Sequence, residues 1–165
     1  MLVYHPAFDI YNCAFRMLQL LNYLKKSEIE LERIRIWDFY LTFPNEARKI
    51  KFPRDLNELK KVFKDKGENP YEDLIDPKRI VDKMKPFQVS ALKYLVSYGL
   101  IDSNLFLKNI VKRTEKSIPQ ELEKRINETT IEKDNIIKLV QGFDNLTLWG
   151  IKERTGLLEY RYDKK

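Results

Sequence analysis

Residues 27–44, Ser-Glu-Ile-Glu-Leu-Glu-Arg-Ile-Arg-Ile-Trp-Asp-Phe-Tyr-Leu-Thr-Phe-Pro, constrain the fold more than any other stretch. Ser27 with Glu30 three residues on reads as a capping box. Pro44 disfavours a helical Phe43, so one helix is predicted between the two. Leu31, Ile34, Tyr40 and Leu41 mark its apolar face, which Trp37 and Phe39 widen. Glu28, Glu32, Arg33 and Arg35 keep one side of the first half charged. The second half is apolar nearly all round except for Asp38 and Thr42, so that half is enclosed by the protein or by a partner. A carboxylate at Asp38 then needs a cationic or N–H partner, because an unpaired buried charge costs several kcal/mol. The expectation is an internal Arg or Lys, or a helix it caps; the alternative is a partner protein's Arg.

The chain is long enough, at 165 residues, for a sizeable core, and one domain spanning 1–165 is the expectation. With 34% charged residues, 43% hydrophobic ones and five glycines, it has the composition of a helical globular protein. No run approaches the roughly 18 apolar residues of a membrane span, and Met1 to Pro6 lack a basic signal-peptide region. The single Cys13 cannot form an internal disulfide. These features lead us to expect a cytoplasmic protein with no membrane association. The net charge of +6 is spread without a basic block, and is too modest to establish nucleic-acid binding on its own.

The remaining chain reads as mainly α with a few short strands (α+β). Residues 2–4 are β-prone. Asp9 caps a helix from Ile10 to about Lys25, whose stripe of Ile10, Ala14, Met17, Leu18, Leu21 and Leu24 faces the core. A short amphipathic helix is predicted from Arg54 to Lys66. Asp76-Pro77 starts another helix, to Lys85. Pro86 begins the next, from Phe87 to Tyr98, which Gly99 ends in the left-handed conformation. Ala91 to Ile101, followed by a strand over 105–112, has the pattern of the third helix and wing of a winged helix. Ser117 with Gln120 predicts a helix to Glu128, and Thr129 with Glu132 one from Ile131 to Gln141, ended by Gly142. Strict alternation over 157–163 predicts a half-buried strand, with Arg154-Thr155-Gly156 as the turn into it. The expected fold is thus a winged-helix-like helical domain with a small antiparallel sheet from 2–4, 105–112 and 157–163.

No catalytic constellation is present. One His and one Cys do not make a metal site, and His5 and Cys13 read as a surface or capping histidine and a core cysteine. No glycine-rich phosphate loop exists. The chain is therefore expected to be no enzyme, and to have no cofactor, no metal and no catalytic residue. Residues 46–66 carry eight basic side chains against four acidic ones. Arg48, Lys49, Lys51, Arg54, Lys60 and Lys61 there, with Lys108, Lys112 and Arg113 on the predicted wing, are the candidates for contact with nucleic-acid phosphates. The helix before the wing offers Gln88, Ser90, Lys93, Tyr94 and Ser97, a poor face for reading bases.

Several short motifs together resemble a family. Val3 to Asp9, Phe15-Arg16-Met17-Leu18 and Arg33 to Leu41, with its Asp38-Phe39-Tyr40 step, are similar to the middle component of bacterial ABC three-component conflict systems, the Lamassu-type anti-phage systems among them. Gly99-Leu100-Ile101, Thr114-Glu115 and the ending from Arg154 to Asp163 extend the resemblance over most of the chain. The resemblance implies a non-catalytic adaptor that bridges an SMC-like ABC ATPase and a nuclease-type effector, with non-specific DNA backbone contacts. Trp37, Asp38, Tyr40, Arg154 and Thr155 become the partner-binding candidates. The competing function is a free-standing winged-helix DNA-binding transcriptional regulator.

Overall fold

A computed structural model describes residues 4–24, 26–65 and 73–165. It is mainly helical with a two-stranded antiparallel sheet. The Asp9 carboxylate accepts the Asn12 N–H at 2.8 Å and opens α1 (Ile10–Tyr23), whose buried stripe includes Cys13, Ala14, Met17, Leu18 and Leu20. Packing of α1 along α4 (Pro77–Ser97), with α2 (Leu31–Thr42) against both, forms the centre of the molecule. One continuous hydrophobic core runs from Ala7 to Leu157.

The predicted Ser27 cap is corrected. Ile29–Glu30 form β1, paired antiparallel with β2 (Ile110–Val111) in the register Ile29 to Val111 and Glu30 to Ile110. Leu31 N–H then donates to Asn109 O at 2.9 Å. Ile29 and Glu30 thus take extended, paired backbone in place of the first helical turn that a Ser27 cap would start. Glu30 becomes the N-cap residue without a side-chain cap bond, and its carboxylate takes Arg33 Nε at 2.7 Å. From Arg33 to Tyr40 every residue of α2 is buried. Pro44 ends the helix and opens a 3-10 turn, Pro44–Lys49.

Pro86 does not divide two helices: α4 runs through it from Pro77 to Ser97. An interior proline forfeits one backbone hydrogen bond and costs about 3 kcal/mol. Val81, Met84, Gln88, Ala91, Leu92 and Leu95 fall on one buried stripe across it, while Pro86 itself is exposed. Several buried apolar side chains at about 1.5–3 kcal/mol each outweigh the lost bond. Gly99, at φ +73°, reverses the chain, and the Leu100 N–H closes the turn on Leu95 O at 3.0 Å.

The chain after Gly99 returns antiparallel through an Ile101–Arg113 bridge and an Asp102 N–H to Lys112 O bond of 2.9 Å. Within this return Asp102 caps α5 (Ser103–Phe106), accepting Leu105 N–H, so the strand expected over 105–112 shortens to Ile110–Val111. Of the other two expected strands, the one over 157–163 does not join the sheet. Residues 2 and 3 lie outside the described residues, and Tyr4 is not in a strand. Residues 157–163 are irregular. There the Glu159 carboxylate accepts the Tyr160 and Arg161 N–H groups, a local pairing that competes with a sheet ladder.

Over its described residues the expected 54–66 helix is a 3-10 turn, Arg54–Leu56, followed by α3 (Asn57–Lys64), and Lys66 lies outside the described residues. Helix α6 (Gln120–Asn127) starts after Pro119 rather than from a Ser117 cap, and Thr130, not Thr129, caps α7 (Ile131–Gly142). Like α5, α8 (Leu148–Thr155) had no sequence expectation; it is capped by Thr147 on Gly150 N–H and closed by Gly156 at φ +66°. Residues 154–156 thus end a helix instead of leading into a strand.

Gly99→Ala should cost roughly 1–2 kcal/mol in urea denaturation. An added Cβ meets only the flexible Lys116 side chain, no nearer than an ordinary 3.6 Å, so the loss reports the positive φ alone. Gly150→Ala, inside α8 with Thr147 Oγ1 at 3.4 Å, should instead gain up to about 1 kcal/mol from helix propensity.

Candidate partner-binding groove and its polar foundation

Asp38 is fully buried. Arg16 from α1 binds it through Nε at 2.6 Å and Nη2 at 3.3 Å, and Gln88 Nε2 from α4 donates at 2.9 Å. The same Gln88 amide donates to Arg35 O at 3.1 Å, while Arg35 Nε returns a bond to Gln88 Oε1 at 2.9 Å. Arg16 Nη1 reaches Pro6 O at 3.0 Å. One carboxylate therefore ties together α1, α2, α4 and the chain entry. Burial tends to lower the Arg16 pKa, but the Asp38 charge and hydrogen bonds outweigh it and hold the guanidinium above its ordinary value. Arg35, which lacks a direct carboxylate partner, is lowered by burial. Cys13 Sγ lies 3.6 Å from Asp38 Oδ2; burial first, then the Asp38 charge, push its thiol pKa far up, so it stays protonated.

Arg16 also lines a groove of about 810 Å³ between α1, the C-terminal half of α4 and α6. Tyr11 meets Tyr94 edge-on at 5.7 Å, and Tyr94 meets Tyr98 at 4.7 Å. Tyr11 and Tyr98 are 71% and 53% exposed, a large aromatic area open to solvent. On the opposite wall Arg125 and Lys133 sit over the Phe15 ring at 5.7 and 5.8 Å. At the chain-entry end His5 Nδ1 accepts the Ala7 N–H at 3.1 Å, the capping role of the two expected for it, and stacks on Phe43. Among the described residues no carboxylate lines the groove, and its fixed charges are cationic. Two i, i+4 pairs, Tyr11 with Phe15 and Tyr94 with Tyr98, were the available sequence signal. Their meeting across two helices was not legible.

The sequence-predicted partner residues separate into two places. Trp37 and Tyr40, 1% and 2% exposed, lie in the core, Trp37 edge-on to Phe143 at 5.7 Å. With Asp38 they present no surface to a partner, which corrects that expectation. Arg154 and Thr155 lie at the end of α8, beside Lys51: Lys51 N–H donates to Arg154 O at 3.0 Å, and Arg154 Nη1 to Lys51 O at 2.9 Å.

The predicted nucleic-acid contacts do not form one face. Arg48 pairs with Asp73, and Lys49 with Glu46 at 2.7 Å. On or near α3, Lys61 pairs with Glu58, while Arg54 is exposed and Lys60 partly so. On the return after α4, Lys108 is exposed, Lys112 approaches Glu28 at 4.0 Å, and Arg113 donates to Leu100 O at 2.8 Å. Gln88, expected on a base-reading face, is buried under Asp38. Two predicted sets do meet in a smaller cleft of about 190 Å³, where Lys49 and Lys51 join Arg154 and Thr155. Lys78 and Arg161, which were not among the predicted contacts, also line it. Among the described residues no three His, Cys, Asp or Glu side chains converge as metal ligands.

Over residues 2–163 the sequence is similar to the model of a family described as ABC-three component (ABC-3C) system Middle Component 5. Searches among curated proteins and among solved structures give no match.

Asp38→Ala should destabilise the protein by about 3–5 kcal/mol in denaturant titration, because it strands the Arg16 charge. Replacing both Asp38 and Arg16 by apolar residues of similar volume should recover most of that loss. Native Cys13 should resist Ellman's reagent at pH 8 and react on unfolding. Its folded pKa lies above the ordinary 9.0, so its contribution to stability is complete below pH 9.0. As pH rises further the unfolded thiol ionises first and the contribution declines, a trend an alkaline unfolding series would read.

Proposed function

The chain belongs to the Middle Component 5 family of ABC-three component systems, and from that premise we propose that it is a non-catalytic adaptor bridging an SMC-like ABC ATPase and a nuclease-type effector in a Lamassu-type defence complex. Membership makes it an accessory component that works alongside the other components of such a system. The observation that carries the adaptor reading is the groove. Tyr11 and Tyr98 stand open to solvent over an apolar trough, and large exposed aromatic surfaces mark interaction sites. The occupant we assign is a segment of the ATPase component with apolar side chains and at least one carboxylate. The groove's cations, Arg125 and Lys133, favour such a segment and nothing in the lining repels it.

A non-enzymatic role is supported by the use the fold makes of its buried polar groups. Asp38 is bound by Arg16 and Gln88, and the Cys13 thiol is held protonated. The helix α4, the Gly99 reversal and the antiparallel return to Arg113 support the winged-helix-like reading of the domain. A free-standing regulator is not favoured, because Gln88 is unavailable and Tyr94 belongs to the groove. No helix of the described residues is long and apolar enough to cross a membrane, and the cytoplasm is the compartment we propose.

Coexpression of the tagged chain with the genes beside it should give a stable complex containing the ATPase, identified by mass spectrometry, with the effector joining it. Tyr11→Ser with Tyr98→Ser should weaken the purified complex about tenfold or more, as for hot-spot aromatics, while leaving the melting temperature close to wild type. A chain that elutes alone and shifts one defined operator sequence would sink the adaptor reading.

A further inference from the structure

The small cleft beside α8 stands apart from the groove. Five cationic residues border it, Lys49, Lys51, Lys78, Arg154 and Arg161, against two acidic ones, Glu153 and Glu159. They come from separated parts of the chain: the end of the Pro44–Lys49 turn and the residues after it, the first turn of α4, the last turn of α8 and the C-terminal segment. Helical periodicity on one element cannot produce that convergence. Lys51, Lys78 and Arg161 are exposed. The Arg154 guanidinium is held in place by Lys51 O.

An anion already sits at this cleft. The Glu159 carboxylate accepts Tyr160 N–H at 3.1 Å and Arg161 N–H at 2.9 Å through one oxygen. The Arg161 N–H first, and also the Arg161 and Lys78 charges, keep its pKa below the ordinary carboxylate value. The other carboxylate of the wall, Glu153, is exposed. Two backbone N–H groups on one carboxylate, with cationic side chains bordering the same cleft, form an arrangement that binds an oxyanion. At about 190 Å³ the cleft is smaller than the roughly 300 Å³ at which pockets for drug-sized ligands begin, so it suits a single charged group and not a whole organic ligand.

We propose that this cleft is a phosphate-binding site, formed by Lys51, Lys78, Arg154 and Arg161, in which Glu159 is an intramolecular occupant that an incoming phosphate displaces. A nucleotide and a nucleic-acid backbone carry the same group, and the cleft recognises that shared chemistry. The inference is independent of the groove and of the partner that fills it.

The test measures binding of three probes to the full chain: inorganic phosphate, ATP and a random-sequence duplex. The Lys51→Gln, Lys78→Gln, Arg161→Gln triple variant is compared with a charge-matched control carrying Lys64→Gln, Lys83→Gln and Lys124→Gln. All six side chains are exposed, so both variants should fold. Inorganic phosphate and at least one of the other probes should bind wild type. The cleft variant should lose about tenfold or more of that affinity, while the control loses no more than about threefold. Glu159→Gln should tighten binding severalfold. Lys78→Glu places an acid in the first turn of α4, where the helix dipole favours it, so its expected loss of binding cannot be ascribed to unfolding. ATP binding that the duplex does not match assigns the phosphate to a nucleotide. Duplex binding whose salt slope falls by about one per cation removed assigns it to a nucleic-acid backbone. Failure of all three probes to bind, equal losses in the two triple variants, or an unchanged affinity on Glu159→Gln overturns the proposal.

Discussion

The Asp38 carboxylate is the constraint on which the arrangement of this protein depends. A charge with no solvent contact at the junction of three helices persists only if every direction around it is answered. Arg16 answers from α1 and Gln88 from α4, and Gln88 is itself fixed by Arg35. Apolar packing alone tolerates sliding of helices by part of a turn, whereas these bonds, between 2.6 and 3.3 Å for Asp38 and its two main partners, do not. The position of α1 against α4 follows from them. So does the shape of the groove, because its two aromatic walls are carried by those same two helices.

Other ionic contacts hold the periphery in a similar way at lower stakes. Lys152 of α8 is 2% exposed and bridges Glu32 in the first turn of α2 and Asp163 near the C-terminus, both at 2.5 Å. Burial works against its charge, but Asp163 and Glu32 outweigh it and raise its pKa. Tyr160 packs edge-on to Trp149 at 5.7 Å, and Lys165 lies over the same indole. The last residues are thereby tied to α8, which is how Arg161 comes to face Lys51 and Arg154 without any strand to carry it.

What the sequence made legible was what local chemistry decides. Asp9 and Asp76 cap helices as expected, Gly99 takes the left-handed conformation, and the buried position and internal pairing of Asp38 follow from its apolar neighbours. What it concealed was decided by distant partners. Ser27 and Glu30 form a sound local cap signature, yet Ile29–Glu30 pair with a strand some eighty positions later, and long-range pairing overrides the local preference. The alternation from Leu157 to Asp163 is equally sound as a pattern, but a strand needs an edge to join, and here Glu159 satisfies the neighbouring N–H groups first. Pro86 misled for the opposite reason: its local penalty was visible, and the buried stripe that outweighs it lies on both sides of it. The groove was hidden because its residues fall between positions 5 and 133 and share no motif.

The polar junction also bears on how the groove would bind. Exposed tyrosines gain little for a free monomer, and association costs less when the receptor is already ordered. Tyr11 and Tyr94 brace each other edge-on across α1 and α4, and Tyr94 braces Tyr98 one turn along. The helices beneath them are pinned by Arg16 and Gln88 on Asp38. Rings held in this way have lost much of their rotational freedom before a partner arrives, so less of the contact free energy is consumed in ordering them. The mutual edge-on packing also leaves fewer ring faces for stacking bases. A nucleic acid would in addition need a cation for many of its phosphates, where the groove offers Arg125 and Lys133, with Arg16 already neutralised by Asp38. These features support the proposed docking of a protein segment in the groove over that of a nucleic acid. The cations suited to phosphate are held away from it, at the far ends of α4 and α8.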